Sequence, residues 1–168
     1  MITLRAEKPE DIDAIRQIIT AAFKGAAHSS GTEAAIVDAL RTAGALTHSL
    51  VALDNSSGEI VGHLAFSPVT IGSGIPGWFG LGPVSVRPNR HGQGIGKQLI
   101  ESGLAQLRER GASGCVVLGD PLYYIRFGFV SDPALRYADV PPEYFQRIVF
   151  KGTPPIGAVA YHPGFDAG

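Results

Sequence analysis

The sequence predicts an α/β fold, a mixed central sheet with helices on both faces, and three observations carry that expectation. Apolar residues alternate in some segments and recur about every 3.6 residues in others, in the order β-α-α-β-β-β-α-β-α-β-β. A strand-like run, Val84-Ser85-Val86, stops at Arg87-Pro88 and leads through Gly92, Gly94 and Gly96 into an amphipathic helix. Glycine (22) and proline (12) are both abundant, which implies many turns between short elements.

Each element has a local reason. Ile2 and Leu4 alternate with Thr3 and Arg5, as in a short strand. Lys8-Pro9-Glu10-Asp11 reads as a helix start, with proline and acids in the first turn. Ile12, Ile15, Ile18, Ile19, Ala22 and Phe23 then make one helical face. After the small-residue loop 25–31, Thr32 opens a second helix with Ile36, Val37 and Leu40 inward and Gly44 as its stop. Strands are expected at 49–53 and 59–71, joined by the turn Asp54-Asn55-Ser56-Ser57-Gly58. A flexible connection, 72–77, precedes a strand over 78–86. Pro83 inside that strand demands a bulge, because proline donates nothing to a ladder. Ile95, Leu99, Ile100, Leu104 and Leu107 mark a long helix that Gly111 ends. Cys115-Val116-Val117-Leu118 reads as a buried strand, 122–126 as a short helix, and 127–130 as the start of a strand. Two closing strands follow at 144–150 and 157–161.

The bulk properties bound the function. A chain of 168 residues with 45% hydrophobic content is expected to form one domain, 1–168, with a real core. A net charge of −1 gives no broad drive toward nucleic acid or anionic lipid, so neither partner is expected. The lone cysteine, Cys115, excludes an internal disulfide. Residues 1–7 hold no apolar signal core, and no stretch approaches the ~20 apolar residues of a membrane span. A cytoplasmic protein is the expectation.

The glycine turn is built for an anion. Free N–H groups and the helix dipole favour negative charge at a helix head, and glycines let a phosphate approach without Cβ obstruction. Two familiar phosphate loops fail on spacing. A Walker loop needs glycine where His91 stands and Ser or Thr where Gln98 stands. The dinucleotide GxGxxG pattern needs glycine at Lys97 or Leu99.

What remains, with His91, Gly94 and Gly96 in the key slots, resembles the Q/R-x-x-G-x-G/A pyrophosphate loop of the GCN5-related N-acetyltransferase (GNAT) superfamily. His91 departs from the usual Gln or Arg. Four further strings sharpen the likeness: Ser49-Leu50-Val51-Ala52, Ile60-Val61-Gly62-His63, Phe66-Ser67-Pro68-Val69, and Leu118-Gly119-Asp120-Pro121 running into Tyr123-Tyr124-Ile125-Arg126-Phe127-Gly128-Phe129. Together they are similar to the YhbS-type branch. The resemblance covers nearly the whole chain and implies the GNAT fold, in which strands 78–86 and 115–118 splay apart.

It also implies transfer of an acetyl group from acetyl-CoA to a primary amine by direct attack in a ternary complex, with no metal. Val84, Ser85 and Val86 would pair with the pantetheine amides as an added strand does. The amides of Gly92, Gln93, Gly94, Ile95, Gly96 and Lys97, with His91, would hold the pyrophosphate. Arg87 and Arg90 would either add phosphate contacts or remain solvated surface charge. The Val84 N–H would face the developing oxyanion. Tyr124, four residues before Gly128-Phe129, would act as general acid to the coenzyme thiolate, with Tyr123 the other phenol able to face the sulfur. Asp120 stands where the family usually has an asparagine, so its usual pantetheine contact is open to question.

Other residues leave alternatives. Glu59 or His63 would serve as base through water, or the amine would lose its proton unassisted. Cys115 begins an apolar strand and reads as buried packing rather than a nucleophile. The five histidines show no HxxxH or HExxH spacing for a metal. Arg126 would steer an anionic substrate or pair with Asp120 or Asp132. The acceptor, a small-molecule or peptide amine, would meet the loops 25–31 and 72–77 and the tail from Lys151, in a monomer or homodimer. The alternative to an enzyme is a non-catalytic acyl-CoA-binding or sensing module of the same fold.

Overall fold

Strand β1 (Ile2–Ala6) pairs antiparallel with β2 (His48–Asp54), which pairs with the long β3 (Ile60–Ile71). These relations come from a computed structural model that describes residues 1–24, 31–72 and 74–167. β4 (Trp78–Val86) lies antiparallel to β3 and parallel to β5 (Gly114–Leu118). Beyond β5 come β8 (Phe145–Val149) and the two-residue β6 (Val130–Ser131), giving the order β1-β2-β3-β4-β5-β8-β6. The two-residue β7 (Leu135–Arg136) and β9 (Gly157–Tyr161) form an offshoot, with β9 pairing Val69, Thr70 and Ile71 at the far end of β3.

Helices cover both faces, as the sequence predicts. On one side α3 (Ile95–Glu109) buries Ile95, Leu99, Ile100, Leu104 and Leu107 against Leu50, Leu64, Phe66 and Val117. Gly103 makes that approach possible: a Cβ there would sit 2.5 Å from Phe66 Cε2 and 2.7 Å from Leu64 Cδ2. On the other side α1 (Ile12–Phe23) and α2 (Glu33–Thr42) bury Ile15, Ile18, Ile19 and Val37 around Val51 and Ile60. A third cluster, Val69, Ile71, Trp78, Val116, Leu135, Phe145 and Val159, fills the space under β9.

Three local expectations change. A 3-10 turn, Pro9–Asp11, precedes α1, and Asp11 accepts from the Lys8 N–H at 2.7 Å and from Arg5 at 2.6 Å. The strand expected from 127 begins only at Val130, because residues Ile125–Phe127 wind into a 3-10 turn ended by Gly128 at φ +98°. The four-residue α4 (Pro121–Tyr124) starts one residue earlier than expected, on an Asp120 side chain that accepts from the Leu122 N–H at 2.9 Å.

Candidate active site

The site begins where two strands part. β4 and β5 pair from Trp78↔Gly114 to Leu81↔Val117 and no further. At Gly82-Pro83 the β3–β4 register shifts, the bulge that Pro83 demands. β4 then follows β3, while β5 follows β8 to Leu118↔Phe145, so a gap opens between them.

The backbone of β4 faces that gap at alternate residues. The Arg87 N–H donates to Val61 O at 2.9 Å, so the ladder also turns the Ser85 backbone toward β3 and leaves Val84 and Val86 facing the open side. The His91 ring confirms the direction, since its Nε2 lies 3.0 Å from the Val86 carbonyl oxygen. The Ser85 side chain is buried, with its hydroxyl unpartnered among the described residues.

The same strand delivers the chain to the head of α3. Gly92 and Gly94 adopt φ +78° and +77°, with nothing within 4 Å of where a Cβ would stand. Gly94 caps the helix in the left-handed conformation that only glycine takes freely. The first-turn N–H groups of Ile95, Gly96 and Lys97 are ones a helix cannot satisfy internally. Ile95 is buried beneath them, and Lys97 is exposed. Gap, open strand edge and glycine turn therefore follow one another along the chain from β4 to the head of α3.

The neighbouring cations are already engaged. Arg87 donates through Nε to Ile60 O at 2.9 Å, and Arg90 holds Asp54 at 2.8 Å and the Gln93 side chain at 2.9 Å. Their role as surface charge is the one the geometry supports.

Two phenols stand on α4 across the gap. The Tyr123 hydroxyl lies 3.5 Å from the point where a Cβ on Gly96 would be, at the helix head. Tyr124 lies deeper. Its ring packs edge-on to Phe129 at 5.9 Å and sits so close to Gly119 that a Cβ there would be 2.6 Å from Cε2. Burial, then the nearby Tyr123 and Cys115, push the Tyr124 phenol up to about 12. It therefore stays protonated at neutral pH. Arg126 stacks over Tyr123 at 4.6 Å and donates to Tyr123 O at 2.9 Å, while Asp132 pairs with Arg147 instead. Cys115 is fully buried, and burial pushes its thiol far up, so it is packing rather than a nucleophile.

Known proteins share the fold and much of the sequence. The model of the acetyltransferase (GNAT) family matches residues 12–129. The chain belongs to the GNAT acetyltransferase family. It is 40% identical to the uncharacterized N-acetyltransferase YhbS of Escherichia coli K12 over 126 residues, which span 75% of this chain and 72% of that protein. A crystal structure of a GNAT family acetyltransferase from Brucella melitensis in complex with acetyl-CoA superposes with a TM-score of 0.88 at 52% identity, covering 99% of both chains. The Escherichia coli YhbS structure in complex with CoA superposes with a TM-score of 0.90 at 34% identity, covering 98% of this chain and 92% of that one.

The two candidate bases of this GNAT chain sit away from the gap. Glu59 is exposed, 3.9 Å from Arg87. His63 is fully buried on the α1 face of β3. Its Nε2 lies 2.8 Å from the Ser49 hydroxyl, which donates in turn to Glu7. That fixes the tautomer: Nε2–H donates to Ser49, and Nδ1 is left unprotonated and without a partner among the described residues. Burial raises the Glu7 carboxyl, but the Arg41 guanidinium and Ser49 outweigh it and hold the group below its usual range. This chain crosses from β1 to β3 and α2, and no local pattern in the sequence announces it.

His63 makes a stability prediction. Burial holds its pKa down to about 4 in the folded protein, against about 6.5 when unfolded. Between those values the unfolded chain takes a proton that the folded one refuses. Stability is therefore expected to fall as pH drops through that window, by up to about 3 kcal/mol in all. Burial also lowers His48, adding a slope of the same sign. Thermal melts of His63→Gln from pH 7 to pH 4.5 should be flatter than wild type; equal slopes would show that His63 protonates freely in the fold.

Most of the loop 25–31 expected at the acceptor, and one residue of 72–77, lie outside the described residues. The tail folds back through β9 onto Val69, Thr70 and Ile71 of β3. Among the described residues no cluster of three or more His, Cys, Asp or Glu side chains could hold a metal ion, and no helix is long and apolar enough to cross a membrane.

Proposed function

We propose that this chain is an acetyl-CoA-dependent N-acetyltransferase acting on a primary amine as one domain. The observation that carries the reading is the continuity of the β4 edge, where Val84 and Val86 face the gap, with the Gly94-capped head of α3. An extended pantetheine arm pairs with such an edge as an added strand would. A diphosphate suits the amides of Gly92 to Lys97, which accept no Cβ obstruction at Gly92 and Gly94. The Brucella melitensis relative, bound to acetyl-CoA, and YhbS, bound to CoA, support that ligand.

The chain's own groups then divide the work. The Val84 N–H stabilises negative charge on the thioester oxygen as the amine nitrogen bonds to the carbonyl carbon. As the C–S bond breaks, Tyr124 donates its proton toward the departing sulfur, and the proton that the newly bonded nitrogen sheds to water restores the phenol. Burial that raises the phenol also raises the basicity of a thiolate formed beside it, so the two stay matched. The His91 ring, engaged with Val86 O, must turn away or share that carbonyl for the arm to pair there.

The test is calorimetry with acetyl-CoA, CoA, NADH and ATP, followed by thiol release from acetyl-CoA across a panel of primary amines. Binding of both coenzyme A forms and amine-dependent thiol release are expected. Binding of NADH or ATP without CoA overturns the reading. Coenzyme binding without release for any amine leaves an acyl-CoA sensor.

A further inference from the structure

A third phenol packs beside the start of the same gap, in the cluster on the opposite face of the sheet. Tyr161 ends β9 and lies in register with Val69 of β3. Its ring rests on Gly80 of β4, where a Cβ would come within 2.8 Å of Cε2. Gly80 pairs with Ser67 on β3 and Val116 on β5, one residue before the last β4–β5 pair. The ring is thus seated at the apex of the splay. It belongs to the cluster of Val69, Trp78 and Val116, whereas Tyr124 packs in the α3 cluster. The hydroxyls of Tyr124 and Tyr161 both lie within electrostatic range of the Cys115 thiol, and Tyr161 also within range of Tyr124.

The Tyr161 hydroxyl is buried and has no hydrogen-bond partner among the described residues. Nor has the Ser67 hydroxyl, on the strand position directly across from Gly80. Two buried, unpartnered hydroxyls are destabilising in a core, and here they flank Gly80 at the apex of the splay. The ring packs against Tyr137 and Phe165, each 4.9 Å away between centroids. A ring so fixed presents its hydroxyl with little freedom left to lose.

The chemistry selects among roles. Burial pushes the Tyr161 phenol far up, so it stays neutral and cannot act as the base. A neutral phenol oxygen accepts a hydrogen bond from N–H. We propose that Tyr161 is the acceptor-side positioning residue: its hydroxyl oxygen accepts a hydrogen bond from the attacking amine and holds the nitrogen lone pair toward the thioester carbon. This rests on the acetyltransferase reading and adds to it a residue on the face away from α3 and Tyr124.

Tyr161→Phe keeps the ring on Gly80 and removes only the oxygen. The amine giving the fastest thiol release with wild type serves as probe. About a tenfold loss in kcat/KM for that amine is expected, with the acetyl-CoA Kd within twofold of wild type and a Tm equal or higher. Tyr161→Ala, which also removes the ring's packing, is expected to lower Tm. Unchanged amine kinetics in Tyr161→Phe overturn the proposal while leaving the transferase reading intact. A wild-type protein that binds acetyl-CoA but releases thiol with no amine overturns both.

Discussion

Gly94→Val is expected to weaken coenzyme A binding at least a hundredfold. Gly94 caps α3 at φ +77°, where a side chain is strained whatever the room around it. A β-branched residue there shifts the turn, and the turn aims the amides of Ile95, Gly96 and Lys97. Each hydrogen bond to a charged phosphate oxygen contributes about 1.5–3 kcal/mol, so misaligning two costs about 3 kcal/mol or more. Two controls isolate the site. Gly58 has nearly the same backbone, φ +75° with nothing within 4 Å, but sits in the β2–β3 turn. Gly58→Val carries similar strain and should leave coenzyme affinity unchanged. Gly96 is helical, and a Cβ there meets only ordinary contacts, Tyr123 Oη at 3.5 Å and Val86 Cγ2 at 3.7 Å. Gly96→Ala should bind within about threefold of wild type and gain up to about 1 kcal/mol of stability from helix propensity. Calorimetric titration of CoA into the three variants decides the matter. If Gly94→Val binds as tightly as Gly58→Val, the diphosphate is not at this helix head.

The parts of the site that were legible in the sequence are those with local causes. Pro83 cannot donate to a ladder, so a bulge was required there, and the bulge is where β4 leaves β5. Gly92, Gly94 and Gly111 stand where the backbone turns left-handed, and the apolar stripe from Ile95 to Leu107 is the buried face of α3. The illegible parts depend on partners distant in the chain. Arg90 beside the glycine turn looks like a phosphate ligand until the β2–β3 turn brings Asp54 within 2.8 Å. His63 looks like a base until β2 brings Ser49 against it. The seat of Tyr161 on Gly80 needs the tail to fold back along β3, and nothing around either residue encodes that pairing. The two-residue strand β7 is likewise too short for periodicity to mark. Gly119 has its packing reason in the Tyr124 ring laid against it.

Tyr124→Phe is expected to lower kcat about a hundredfold, the usual scale for losing a positioned general acid. Substrate affinity should barely move, because the ring keeps its contacts with Phe129 and Gly119. The pH profile separates acid catalysis from packing. Held up to about 12, the phenol keeps its proton throughout the range in which an amine acceptor loses its own. Wild-type kcat should therefore climb with pH as the acceptor deprotonates, with no falling limb from Tyr124 below about pH 10. The variant should climb in parallel, displaced downward at every pH. Tyr123 supplies the internal comparison, since its hydroxyl lies by Gly96 at the helix head rather than at the apex of the gap. Tyr123→Phe should leave kcat within about threefold and act mainly on the coenzyme KM. Equal losses in the two variants would mean that neither phenol is specially placed at the sulfur. A loss confined to Tyr123→Phe would move the acid one residue along α4. A Tyr124→Phe defect that shrinks for a thioester with a more acidic leaving thiol would tie the lost proton to the sulfur, because a weaker base gains less from protonation as the C–S bond breaks.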